Sequence, residues 1–157
     1  KAILYYKKAI KINPKSAEIY NNLANLYKSD NKIIESIKYY KKAISINPKI
    51  FIIDNNIGIA YKNLGMFSEA KKSFAESMRL KPDFHFAFMN FGLIEKWKED
   101  TSLFASLQKL YNESKKNNTV TAELAFTLGK ANDDINNYEE SIKYFLEATW
   151  NCLFPIL

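Results

Sequence analysis

The stretch from Ala17 to Ile50 returns in register, 34 residues later, as Phe51 to Phe84, and a chain that repeats at this spacing has few folds open to it. Each copy is one supersecondary unit that cannot bury its own apolar face, so the copies must stack. The positions that match are those where size decides packing. Leu23 and Ile57 hold the seventh place, Ala24 and Gly58 the eighth, and Tyr27 and Tyr61 the eleventh. Ser36 and Ala70, Tyr40 and Phe74, Ala43 and Ser77, and Pro48 and Pro82 follow in the same order. Small residues mark where two helices touch closely, and aromatic residues fill the space between them.

Within a copy the apolar spacing is helical. Tyr20, Leu23, Ala24 and Tyr27 fall on one helical face, which predicts helices over 17–29 and 32–46, then over 52–64 and 68–80. The short polar turn Ser29-Asp30-Asn31 forces an antiparallel pair, and Gly65 supplies a positive φ at the next one. Pro48 and Pro82 stop the second helices, because the residue before proline is pushed out of helical geometry. Residues 1–14 read as the back half of a copy, with Ala2, Tyr6, Ala9 and Pro14 in the places of Ser36, Tyr40, Ala43 and Pro48. A lone second helix exposes its apolar stripe, so the natural protein is expected to extend upstream.

The third copy is worn. A first helix is expected over 85–97 with Phe91-Gly92 at the seventh and eighth places, but Glu95 replaces the tyrosine and Ala122 follows His85 by 37 residues. Its second helix, capped by Asp100 or Thr101, carries Leu103, Phe104, Leu107, Leu110 and Tyr111 as a stripe, and Ser114 to Thr121 reads as a polar loop. The fourth copy recovers Leu128, Gly129, Tyr138, Ser141, Phe145 and Ala148, without the closing proline and with Asn132 in place of tyrosine. Trp150 to Leu157 is apolar, and is expected either to fold back on the last helix pair or to run into a further domain.

This order of small, aromatic and proline positions resembles the tetratricopeptide repeat (TPR), with Tyr20, Asp54 and Phe88 standing at the family's fourth-position tryptophan. The resemblance implies an all-α fold, a right-handed superhelix of antiparallel helix pairs. One array would divide into a truncated repeat (1–16), repeats at 17–50 and 51–84, a degenerate repeat at 85–121, a repeat at 122–149 and an apolar tail at 150–157.

Composition narrows the function. With 47% apolar and 25% charged residues, four glycines and four prolines, the chain is globular and fits one domain. No window approaches 18 uninterrupted apolar residues, so no membrane span is expected; the N-terminal lysines argue against a signal peptide, and the cytoplasm is the default location. The net charge of +6 is basic only in the first third. Lys7, Lys8 and Lys11 recur as Lys38, Lys41 and Lys42, an outer basic ridge read as a solvated face, which disfavours nucleic acid. His85, expected as a solvated residue at a helix start, is the single histidine and Cys152 the single cysteine, so neither a metal site nor a catalytic triad can be assembled. Adjacent acids such as Glu139-Glu140 and Asp133-Asp134 point to different helix faces and make poor acid–base partners. No catalytic role and no cofactor is expected.

The informative residues lie on the first helices. Asn22, Asn56 and Asn90 recur at the sixth place, with Asn21 and Asn55 at the fifth and Asn25 at the ninth. An amide carries a donor and an acceptor, so a spaced row can pair with the backbone of an extended peptide. The row resembles the asparagine ladder of TPR superhelices, in which the free faces of the first helices line an inner groove. Ile52, Ile59, Phe86, Met89 and Leu93 add apolar anchor places on the same helices. The family's carboxylate clamp is not matched, since Asn21, Asn25, Asn56, Asn90 and Phe86 occupy its places. The expected function is a scaffold that holds a protein or peptide segment in a concave groove. An alternative comes from residues 82–148, which look like the last repeats before the sulfotransferase domain of bacterial TPR fusions. On that view the chain is the arm of a larger enzyme of sulfotransferase or glycosyltransferase type, although no residue of the enzyme's nucleotide-binding motifs is present.

Overall fold

In a computed structural model, residues 1–99, 101–117 and 119–153 are described, the side chain of Leu153 apart. Among them the chain forms nine α-helices and no strand, and it divides into two compact units, Lys1–Lys81 and Pro82–Leu157.

The first unit holds α1 (Ala2–Ile12), α2 (Ala17–Ser29), α3 (Ile33–Ile46), α4 (Phe51–Asn63) and α5 (Phe67–Leu80). Ser16 caps α2, its side chain accepting from the Ile19 N–H at 3.4 Å, and Glu18 stands in the favourable first turn. The turns close through left-handed residues, Asn31 (φ 58°) and Gly65 (φ 72°), the two residue types that tolerate this region. Leu23, Ala24, Tyr40 and Ala43 are fully shielded in the α2–α3 pair, as are Ala60, Ala70 and Phe74 in the α4–α5 pair. Gly58 is small for a reason: a Cβ there would sit 2.5 Å from the Phe74 ring. The serines of the core satisfy themselves on backbone, Ser36 donating to the Ile33 carbonyl at 2.7 Å and Ser77 to the Phe51 carbonyl at 2.9 Å.

The joints between successive pairs are stitched by a recurring contact. Lys7 of α1 lies 5.9 Å from the ring centre of Tyr27 in α2, and Lys41 of α3 lies 5.9 Å from that of Tyr61 in α4. Two lysines of the ridge expected to be merely solvated are therefore placed over aromatic faces, an arrangement in which the ring quadrupole attracts the cation.

The second unit holds α6 (His85–Gly92), α7 (Ser102–Lys116), α8 (Ala122–Asp134) and α9 (Tyr138–Leu153). The helix expected over 85–97 stops at Gly92. The following segment turns back, so that Trp97 covers Gly92, its Nε1 lying 2.4 Å from where a Cβ would be, and meets Phe91 edge to face. The backbone N–H of Trp97 donates to Asp134 Oδ2 at 3.2 Å. A loop tryptophan thus does in this copy what Phe74 does over Gly58.

Ser114 to Lys116, expected in a loop, belong to α7, where Lys115 and Lys116 complement the helix dipole and Lys115 lies 5.5 Å from the Tyr111 ring. Thr101 caps α7, accepting from the Phe104 N–H at 3.2 Å; Asp100, the other candidate, lies outside the described residues. Leu153 stands in register where Pro48 and Pro82 stop α3 and α5, and α9 runs on to that residue, so Trp150 to Leu153 are helical. The remainder of the expected tail, residues 154–157, lies outside the described residues.

The buried Tyr111 hydroxyl donates to Glu147 Oε2 and so ties α7 to α9, while its ring meets Tyr144 edge to face at 5.0 Å. Burial, and then the hydrogen bond to Glu147, raise the Tyr111 pKa, so the phenol stays a donor. Tyr111→Phe is expected to lower stability by about 1–2 kcal/mol, because the carboxylate loses its donor. An unchanged urea midpoint would contradict this.

Candidate functional site

The expected site residues fall into two groups, one in each unit. In the first unit α2 presents Asn21, Asn22 and Asn25, and α4 presents Asn55, Asn56 and Ile59. Asn22 is exposed, whereas Asn21, Asn25, Asn56 and Ile59 are half-buried. The Asn56 Nδ2 donates to Asn21 Oδ1 at 3.3 Å, so neighbouring first helices are joined through amides at their sixth and fifth places. The Tyr40 hydroxyl donates to Asn25 Oδ1, which commits that carbonyl to the α2–α3 pair. Asn55 is only 5% exposed. Asn22, the Asn21–Asn56 pair and the half-buried Asn25, its carbonyl committed to Tyr40, are therefore the amides that keep surface.

In the second unit Phe86 and Leu93 are exposed, Met89 is half-buried, and Asn90 is 6% exposed. Periodicity placed Asn55 and Asn90 on a first-helix face but could not say how deeply that face is covered. His85 opens α6 as expected, yet it is half-buried rather than fully solvated. Its ring lies 4.2 Å from that of Phe86 and its Nε2 is buried without a hydrogen-bond partner. Burial lowers its pKa against the opposing pull of Glu123.

One cleft was not found from the sequence. About 630 Å³ in volume, it is lined by Met89 of α6, by Ala122, Glu123 and Phe126 of α8, and by Phe145, Ala148, Thr149 and Cys152 of α9. Only Met89 among these stands at an expected site position. Phe126 holds the fifth place of the fourth copy, as Met89 does in the third, so reading the fifth places through to the last copy would have reached it. Among the described residues no group of three or more His, Cys, Asp or Glu side chains could hold a metal ion, and no helix is long and apolar enough to cross a membrane.

Models of the tetratricopeptide repeat match residues 17–50, 55–84 and 122–149, and a TPR repeat model matches residues 1–31. No curated protein sequence matches the chain. Among solved structures, MamA is similar with a TM-score of 0.71 at 19% identity, over 95% of this chain and 85% of that one. YrrB, a TPR protein with an unusual peptide-binding site, gives a TM-score of 0.71 at 23% identity, over 92% of this chain and 73% of that one. Pseudomonas aeruginosa PilF gives 0.67 at 20% identity, over 91% of this chain and 65% of that one. At these identities the likeness fixes the fold, an α–α solenoid of helix pairs, and nothing finer.

Proposed function

We propose, from the premise that tetratricopeptide repeats build this chain, that it is a non-catalytic interaction module holding an extended segment of a partner protein along the free face of its first helices. The observation that carries the reading is the amide arrangement on α2 and α4, where Asn22 is exposed and Asn56 and Asn21 stand side by side at 3.3 Å. Amides joined in this way still have a free donor or acceptor each, and a peptide backbone needs both. Ile59 beside them supplies an apolar place for an anchor side chain, and the second unit, taken by itself, offers others at Phe86, Met89 and Leu93 on α6 and its C-cap. Asn25, Asn55 and Asn90 serve as supports, since one is bonded to Tyr40 and the other two are buried. YrrB, of the same fold, is a TPR protein with a peptide-binding site of its own. The role is the same whether the array stands alone or as the arm of a larger enzyme.

Net gains of about 0.5–1.5 kcal/mol per hydrogen bond leave a few amides with weak binding, so apolar anchors must add to it. Peptides selected on the immobilised chain from a random extended library test this directly. Asn22→Ala with Asn56→Ala should weaken their capture roughly 30-fold, the equivalent of about 2 kcal/mol, while the thermal unfolding midpoint stays within a few degrees. Capture that survives the double substitution, or a large loss of stability in its place, would sink the reading.

A further inference from the structure

The lysines of α3 border a cleft of about 400 Å³ within the first unit, lined by Tyr20 of α2 and by Lys38, Tyr39, Lys41, Lys42 and Ser45 of α3. Its floor is a fixed stack of rings. Tyr20 and Tyr27 stand seven residues, about 10.5 Å, apart along one face of α2. The Tyr39 ring lies 6.5 Å from the first and 5.2 Å from the second, so it is held between them with a ring on either side. One cation is fixed as well, since Lys41 lies over Tyr61. Lys38 and Lys42 are exposed, and among the described residues no ion pair includes Lys38, Lys41 or Lys42.

This grouping works against the helix that carries it. Lys42 follows Lys38 by four residues and Lys41 follows it by three, and like charges at these spacings repel and lower helix stability. Neither solubility nor the repeat requires them. One copy later the lysine places hold Lys72, Ala75 and Glu76, the tyrosine places hold Asp54 and Ser73, and Arg79 stands where Ser45 does. There Glu76 accepts from Arg79, so the same face is solvated by a balanced pair. The cleft therefore belongs to one copy and not to the repeat. The field around it has the same sign, because the first unit carries 16 Lys and Arg against 6 Asp and Glu.

We propose that this cleft binds an acidic segment of a partner protein, with an apolar side chain of the segment resting on Tyr20 and Tyr39 and its neighbouring carboxylates meeting Lys38 and Lys42. Charge complementarity selects the occupant, and it offsets the repulsion that α3 otherwise bears. The places on either side of the α2–α3 pair are taken by α1 and α4, so stacking of further helix pairs does not fill the cleft. Single-stranded nucleic acid suits it less, because a base needs an open ring face to stack on, whereas Tyr39 has a ring on either side and Tyr20 is buried. A second copy of this chain is a poor source of the carboxylates, since in its acidic run Asp134 pairs with Lys130, and Glu139 and Glu140 with Lys143. The proposal does not use the asparagine row, so it stands or falls apart from the function proposed above.

The test titrates a labelled peptide, Glu-Glu-Phe-Glu-Glu, against the 157-residue chain. Saturable binding that weakens as salt is raised is expected, with Glu-Glu-Ser-Glu-Glu weaker by about fivefold or more. Lys38→Glu together with Lys42→Glu, both at exposed positions, should weaken the first peptide by about tenfold or more without moving the thermal midpoint by more than a few degrees. Asn22→Ala with Asn56→Ala should leave its affinity unchanged. No saturable binding, equal binding of the two peptides, or binding indifferent to the lysine substitutions overturns the proposal. So does tighter binding of a single-stranded oligonucleotide of equal charge, a salt-sensitive dimer that the lysine substitutions split, or loss of binding in the asparagine variant. Those three results assign the contact to nucleic acid, to a second copy or to the amide row.

Discussion

Phe74→Ala is expected to lower the free energy of unfolding of the unit that holds it by about 3–5 kcal/mol. Phe74 is fully buried, and its ring lies 2.5, 2.7 and 3.0 Å, at three successive atoms, from where a Cβ on Gly58 would be. The ring therefore rests directly on the α4 backbone, which closes off the relaxation that would shrink the cavity it leaves. The same geometry makes the pair non-additive. Gly58→Ala alone forces the ring outward, and overpacking of this kind costs about 1–3 kcal/mol. In the Phe74→Ala background the added methyl enters the space just vacated and gains the helix propensity of alanine over glycine, about 1 kcal/mol. A double-substitution cycle in urea should therefore show an interaction of about 1–3 kcal/mol, and additive behaviour would mean that the ring does not lean on Gly58.

That pair was legible in the sequence, because a small residue at the eighth place and an aromatic at the matching place of the second helix recur with the period. Ala24 with Tyr40 and Gly58 with Phe74 are set by sterics alone, and sterics repeat. Gly92 kept its place in the worn third copy, but its aromatic came from Trp97, only five residues on. Periodicity could not foresee this, because the covering ring arrives from a loop rather than from a second helix. The site was legible in part for a related reason. A spacing of 34 fixes which face of a helix an asparagine shares, and Asn22 and Asn56 were read from it. Depth depends on what covers that face, and nothing in the spacing of Asn55 or Asn90 encodes it. The cleft at Phe126 and Phe145 was missed because the inner positions were followed through three copies and not into the fourth.

Asp54→Asn is expected to stabilise the first unit at neutral pH and to remove a pH dependence that the parent chain carries. Asp54 holds the fourth place of its copy, where Tyr20 and Phe88 stand in neighbouring copies, and its carboxylate is buried with Oδ2 lacking any hydrogen-bond partner. Removal from water, with repulsion from Glu76 added, pushes its pKa up to about 6. A bond to its own backbone N–H and the field of Arg79 offset this only in part. Arg79 is already engaged, donating to Glu76 through Nε at 2.8 Å and Nη2 at 2.6 Å. An unfolded aspartate titrates near 3.9. Because the folded value is the higher one, the native state is favoured by protonation, and its advantage fades as pH rises from about 4 through about 6. Above that window the buried charge costs about 2 kcal/mol, allowing for partial screening near the surface. Asparagine keeps the shape and carries no charge, so the two proteins should unfold at similar urea concentrations at pH 4 and diverge across the window, the variant being the more stable by about 2 kcal/mol at pH 7.5. An offset that is constant from pH 4 to 7.5 would place the effect in packing or helix propensity and not in the ionisation of Asp54, and equal stability at every pH would mean that the carboxylate finds a partner in solution.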